Sequence, residues 1–376
     1  MSKEAAMVAA RERGELVKAK MRADVRAIAK ELMPRGHLSG ASWISFPPHR
    51  ESDNPGAFAV YVSGPKAGGW KDFVTGETGP ISDLVMMVKK LTFKEVIRWG
   101  EDRYGLTKLT PEEREKFNRK VELQRKQEDE AEAKARAERV RKAGHQFSRA
   151  LPLAGTLADR YLASRGIDLR ALPYRDTRWL RFLPAAAYWR LPSRPRMPAM
   201  IAGMVDGQGV MRAMHLTFLN PDGSAKADVK CAKLCGEKYC AMHGCMNSAK
   251  LMWPEVKGLV IRLNHGASNM DPETAAAAGL AAPLGHCEGI EDGLSLAMGD
   301  PDLRIWAASS LSNLMNVPDH ACASAHLVAQ DNDWGKAAAA KGFANAIGRL
   351  RSFQKPVVPF RSTVGKDFND QLMEKS

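Results

Sequence analysis

Residues 327–342, LVAQDNDWGKAAAAKG, run from an apolar segment into two aspartates one residue apart, then glycine, lysine and an alanine-rich stretch. The apolar run has the length of a buried strand, and the alanines favour a helix. Asp331 and Asp333 stand where the one would pass into the other. Taken alone, the pair fits an ordinary turn, since Asp and Asn serve turns and helix caps. It also fits a ligand site, because residues i and i+2 of an extended segment point the same way and their charges repel unless something neutralises them.

The surroundings favour a strand–helix reading. From Pro283 onward, PLGHCEG, LRIWAASS, AHLVAQD and KPVVPFR alternate with IEDGLSLAMG, LSNLMNV, GKAAAAKGFANAIGRLRSF and DFNDQLMEK. Repeated units of this length predict a doubly wound parallel sheet over 283–376, with helices on both faces. Ligands of such sheets gather at the carboxyl ends of the strands. Those ends carry Glu288, then Asp331 and Asp333, then Asp367 and Asp370. Hard oxygen donors that crowd together select Mg2+ or Mn2+, which offsets their repulsion.

Upstream, the chain divides by composition. Residues 1–33 place Leu16, Val17, Met21, Val25, Ile28, Ala29 and Leu32 at helical spacing, ended by Pro34 and Gly36. Residues 34–109 change to short strands and then two amphipathic helices, a small α+β domain. Its expected apolar core is Trp43, Phe46, Phe58, Val60, Trp70 and Phe73. Residues 110–146 open on Thr-Pro-Glu-Glu and alternate charges, as a solvated linker helix supported by i,i+4 pairs such as Glu130–Lys134. Residues 147–282 form a basic α+β lobe, whose strands AMIAGMVD and GVMRAMHLTFL are joined by Gly-Gln-Gly as a hairpin.

The 376 residues carry a formal net charge of +13, a balance that suits an anionic partner such as nucleic acid. No apolar run has the length of a membrane span and the N-terminus lacks a signal-peptide core, so a cytoplasmic protein with reduced cysteines is expected. Cys231, Cys235, Cys240 and Cys245, with His243 beside them, fall within one short stretch. Clustered thiols in a reducing compartment suggest a structural Zn2+, although the spacing departs from the paired C-x2-C knuckle and also fits ordinary thiols in a basic loop.

The ordered set EGIEDGLSLA, Asp-x-Asp at a strand end and GKDFNDQL resembles the Toprim domain shared by bacterial-type primases, topoisomerases and some nucleases. The nearest pattern is that of primase-like proteins of phages, plasmids and other mobile elements. The resemblance continues through RYLASRGI, the 196–227 segment and KLMWPEVKGLVIRL, which are similar to the basic lobe preceding Toprim. FPPHRESDNPGAFAVYV and GGWKDFVTGETGPISDLV are similar to the primase zinc ribbon.

The resemblance implies a DNA primase that makes RNA primers on single-stranded DNA from ribonucleoside triphosphates, serving a separately encoded helicase. Glu288, Asp331 and Asp333 are its implied catalytic residues, which with Asp367 hold Mg2+ or Mn2+. Lys250, Arg262 and Lys336 are expected at the nucleotide, and Arg212, His215, Lys226 and Lys230 along the DNA. The ribbon departs from its family: only His49 falls near a ligand position and no cysteine precedes Cys231. A zinc-less domain is therefore expected there. A Toprim nuclease, or a catalytically weak DNA-binding accessory, are the alternatives.

Overall fold

A computed structural model describes residues 3–51, 56–64, 66–73, 75–106, 111–176, 178–191, 193–229, 239–240, 245–246, 248–332 and 337–375. It is a mixed α/β multidomain chain in two compact units, Met1–Ala135 and Arg136–Ser376.

The first unit begins with helices α1 (Lys3–Ala23) and α2 (Val25–Leu32). A five-stranded antiparallel meander follows: β1 (His37–Ser39), β2 (Ser42–Ser45), β3 (Phe58–Tyr61), β4 (Gly69–Asp72) and β5 (Thr78–Pro80). Helices α3 (Ile81–Lys89) and α4 (Phe93–Tyr104) close the unit. Burial alternates along β2 and β4, as a sheet with one covered face requires. Trp43, Phe58, Val60 and Trp70 join Leu16, Val17, Met21 and Ile28 in one core. The N-terminal helical segment is thus a layer of this unit. Two expected core residues lie elsewhere. Phe46 is half-buried beneath the Arg35 guanidinium, and Phe73 is 54 % exposed with the Lys71 ammonium over its ring. Register explains Phe73: it follows Asp72, and Asp72 takes the inward position.

Asp72 is buried and accepts from Arg50 Nε at 2.9 Å and Nη2 at 3.0 Å, while His49 Nε2 lies 3.4 Å from both Asp72 Oδ2 and Glu77 Oε2. This polar brace joins the loop after β2 to the hairpin between β4 and β5.

Helix α5 (Pro111–Ser148) covers the expected linker. The second unit holds β6 (Leu151–Pro152), α6 (Leu157–Ser164), β7 (Leu180–Ala187), β8 (Arg196–Val205) and β9 (Met211–Phe218). The two-stranded pair β10 (Tyr239–Cys240) and β11 (Cys245–Met246) precedes β12 (Lys250–Trp253). An antiparallel sheet runs in the order β12-β9-β8-β7-β6. One face packs on Ala143 and Phe147 of α5; the other, with Met200, Ala202, Met204 and Ala213, shares a core with the last domain.

That domain contains β13 (Ile261–Asn264), α7 (Pro272–Ala277), β14 (Ala282–Cys287), α8 (Ile290–Gly299), β15 (Arg304–Ala307) and α9 (Leu311–Leu314). It ends with β16 (Ala323–Gln330), α10 (Ala337–Arg351), β17 (Val357–Arg361) and α11 (Phe368–Lys375). The sheet order is β13-β15-β14-β16-β17, with β14 to β17 mutually parallel and β13 antiparallel at the edge. The parallel strands are those expected from the sequence. The added edge strand, β13, comes from the stretch read as the end of the basic lobe. The chain leaves β14 for β15 on one side and returns to β16 on the other, so the order switches between β14 and β16, where ligands of such sheets bind.

Candidate active site

Three parallel strands deliver acidic residues to the same edge. Glu288 follows β14, Asp331 follows β16, and Asp367 stands at the head of α11, after β17. The sheet therefore brings together carboxylates far apart in sequence. Asp367 Oδ1 accepts the Asp370 backbone N–H at 2.9 Å, a helix cap, while Asp370 Oδ2 accepts the Lys366 N–H at 2.9 Å and shapes the loop. Asp333 and Lys336 lie outside the described residues.

A fourth carboxylate, Asp292, was missed in the sequence. It sits in the first turn of α8, is buried, and its Oδ1 has no hydrogen-bond partner. Burial first, then the charges of Asp367, Asp331 and Glu291, push its carboxyl up to about 7. The buried Cys287 thiol is raised by burial and by Asp292, Asp331, Glu288 and Glu291. Both groups register one crowded negative field at the carboxyl end of β14. Gly289 permits this crowding: a Cβ there would lie 2.5 Å from Asp292 Oδ2.

Among the described residues, no group of three His, Cys, Asp or Glu side chains is placed so that it could hold a metal ion. The donor set nonetheless fits a hard divalent cation. It is all oxygen, it is mutually repelling, and it includes an orphaned buried carboxylate oxygen.

A second carboxylate of α8, Glu291, was also missed. It is buried and meets two lysines: Lys226 Nζ lies 2.9 Å from Oε1 and Lys250 Nζ lies 3.6 Å from Oε2. Burial alone would raise its pKa, but Lys250 and Lys226 hold it well below the usual carboxylate range. Burial lowers the Lys226 ammonium; for Lys250 burial is outweighed by Glu291 and Asp292, which raise it. Lys226, expected along the DNA, thus stands with Lys250 beside the carboxylates.

Two other sequence expectations, His215 and Arg262, come out differently. His215 is 2 % exposed, and burial, with Lys250 next, lowers its pKa to about 3. It is neutral and buried, so it is no cationic DNA contact; β9 is covered on both faces from Ala213 to Phe218. Arg262 is buried over the Trp306 ring and forms a bidentate pair with Glu273, at 2.7 and 2.6 Å. That pair fastens β13 to α7 and leaves the guanidinium no face for a nucleotide. Arg212 donates to Asp206 at 2.8 Å across the β8–β9 hairpin and is half exposed. Cys240 and Cys245 are cross-strand partners in β10 and β11. Cys231, Cys235, His243 and Lys230 lie outside the described residues, as do any contacts of a zinc site there. Among the described residues, no helix is long and apolar enough to cross a membrane.

The crowded acidic edge lies at the switch point of a parallel sheet, within residues 284–376, which match the model of the Toprim domain. Residues 137–243 match a family described only as a domain of unknown function (DUF7146). No curated protein matches the chain. Among solved structures, it is similar to the zinc-binding and RNA polymerase domains of the Aquifex aeolicus primase, at 14 % identity and a TM-score of 0.39, covering 92 % of this chain and 82 % of that one. A DNA primase domain from Pseudomonas aeruginosa shares 14 % identity at a TM-score of 0.38, over 63 % of this chain and 74 % of that one. A structure described as the DnaG catalytic core shares 12 % identity at a TM-score of 0.35, over 62 % and 74 %.

Proposed function

We propose that this protein is a DNA primase, which joins ribonucleotides on a single-stranded DNA template. The observation that carries the reading is the pairing of two unlike charge clusters. Glu288, Asp292, Asp331 and Asp367 crowd the carboxyl edge of the Toprim sheet, and Lys226 and Lys250 from the preceding lobe stand beside them. Nucleotidyl transfer needs both, since a triphosphate must be gripped while its reacting phosphorus is brought to a hydroxyl.

Glu288, Asp292, Asp331 and Asp367 are the residues that would hold Mg2+ or Mn2+, with Asp333 completing the Asp-x-Asp pair. Such an ion, when bound, supplies positive charge to the phosphoryl oxygens and lowers the pKa of an attacking hydroxyl. The chain's own contribution is orientation. Asp367 is fixed by its cap on α11, and Asp292 is held close against Gly289. Lys226 and Lys250 bind phosphate as point charges. The template is held by the basic surplus through its phosphates. A replicative helicase encoded separately would supply the single strand.

The test is ribonucleotide incorporation on a single-stranded DNA template with Mg2+ or Mn2+, run beside a DNA cleavage assay on the same preparation. Template-dependent RNA product without cleavage supports the primase. Cleavage without incorporation assigns the same carboxylates to a nuclease. Template binding with neither activity makes the protein a replication accessory.

A further inference from the structure

Glu291 is 4 % exposed, yet three donors from three separate elements converge on it. Tyr161 of α6 donates its hydroxyl to Oε1 at 2.8 Å. Lys226, from the segment after β9, and Lys250, at the start of β12, bring their ammonium groups to 2.9 Å and 3.6 Å. Two cations share one carboxylate, and the cluster sits one residue from Asp292, whose charge also draws Lys250. A purely structural ion pair has no need of a second cation. The lysines are also not sealed in. Their side chains are 35 % and 33 % exposed, so each lysine is anchored from within and still reached by solvent along part of its length.

We propose that Glu291 is a positioning residue that holds Lys226 and Lys250 ready for the phosphate groups of the incoming nucleoside triphosphate; the inference rests on the nucleotidyl-transfer reading. Without Glu291 the two ammoniums repel and separate, and each regains the rotamer freedom that a phosphate must then take away. Tyr161 fixes the orientation of the carboxylate, which keeps both of its oxygens turned to the lysines. An ammonium has three donors, so each lysine retains hydrogen-bonding capacity for phosphate oxygens while it touches Glu291.

The test compares full-length wild type with Glu291→Gln, which keeps the acceptor for Tyr161 and removes the charge. ATP binding is measured by equilibrium dialysis without template, and KM and kcat for ATP are measured in primer synthesis. The expected result is that Kd and KM rise together by about tenfold while kcat at saturating ATP stays within about threefold. Glu291→Asp restores part of the loss. Adding Glu291→Gln to a Lys226→Ala/Lys250→Ala background weakens ATP binding no further, because the effect runs through those lysines. Glu291→Gln that lowers Tm but leaves Kd and KM unchanged overturns the inference and leaves the primase reading standing. Should Glu291→Gln fold poorly, Glu291→Asp with unchanged KM overturns it equally. A wild type that neither binds ATP nor makes primers overturns the functional reading, and this inference with it.

Discussion

The side-chain amide of Asn332 donates to the Gly365 carbonyl at 3.0 Å, which ties the residue after Asp331 to the loop that carries Asp367. The same amide reaches the Ser362 carbonyl at 3.2 Å and Ser362 Oγ at 2.9 Å, and the Asn332 backbone N–H donates to the Lys366 carbonyl at 2.7 Å. Two strand ends are thereby locked in one geometry. Asn332→Ala is expected to cost about 2 kcal/mol of stability, from the lost bonds and the stranded carbonyls. Its activity falls by roughly tenfold or more, since a misplaced carboxylate no longer serves the reacting groups. Thermal melts and primer synthesis on the same preparation check both numbers.

Gly289 precedes α8 with an ordinary φ of −95°, so backbone strain is not its reason for being glycine. Its reason is the 2.5 Å that would separate a new Cβ from Asp292 Oδ2. Gly289→Ala therefore displaces the Asp292 carboxyl and leaves the helix intact. Activity is expected to fall by roughly tenfold while Tm changes by only about 2 °C. A large loss of Tm with normal specific activity contradicts this account of the glycine.

Much of this arrangement was legible in the sequence. Strict alternation of strand and helix announced the parallel sheet, and a parallel sheet puts Glu288, Asp331 and Asp367 on one edge whatever their separation in the chain. Asp292 and Glu291 were not legible, because acidic residues in a helix's first turn are common for dipole reasons alone. What distinguishes them is burial against Lys226, Lys250 and Tyr161, contacts made across the chain that no local pattern encodes. His215 and Arg262 misled for a related reason. A basic residue on a strand reads as a ligand contact until the fold shows it buried or paired to Glu273.

The buried His215 gives the protein a pH dependence whose sign can be worked out. Its folded pKa lies near 3 against an ordinary value of 6.5. As pH falls through 6.5 the unfolded chain takes up the proton first, so stability is lost in that window. From about pH 7.5 to about pH 5 the loss is about 2 kcal/mol from this residue. His215→Gln removes that part of the slope. Denaturant titrations of wild type and variant at the two pH values measure the difference; parallel curves would show that His215 is not held neutral.

In the first unit, Asp72 is the hub of the brace with Arg50 and His49. Asp72→Ala removes the acceptor of the Arg50 guanidinium and loosens the β4–β5 hairpin. Hydrogen exchange on the full chain is expected to show lost protection over residues 37–80 and unchanged protection over 261–361. Uniform exchange across both regions would contradict a local role.

The central claim is that one carboxylate cluster on the Toprim sheet carries nucleotidyl transfer. It is tested most directly by incorporation of labelled ribonucleotides on single-stranded DNA with Mg2+ or Mn2+, comparing wild type with Glu288→Gln, Asp292→Asn and Asp331→Asn. The account predicts template-dependent RNA from wild type and a loss of roughly a thousandfold in each variant. It also predicts that metal-free Asp292→Asn melts no lower than wild type, because a buried, repelled charge has been removed. Primer synthesis at wild-type level by Glu288→Gln or Asp292→Asn contradicts the claim.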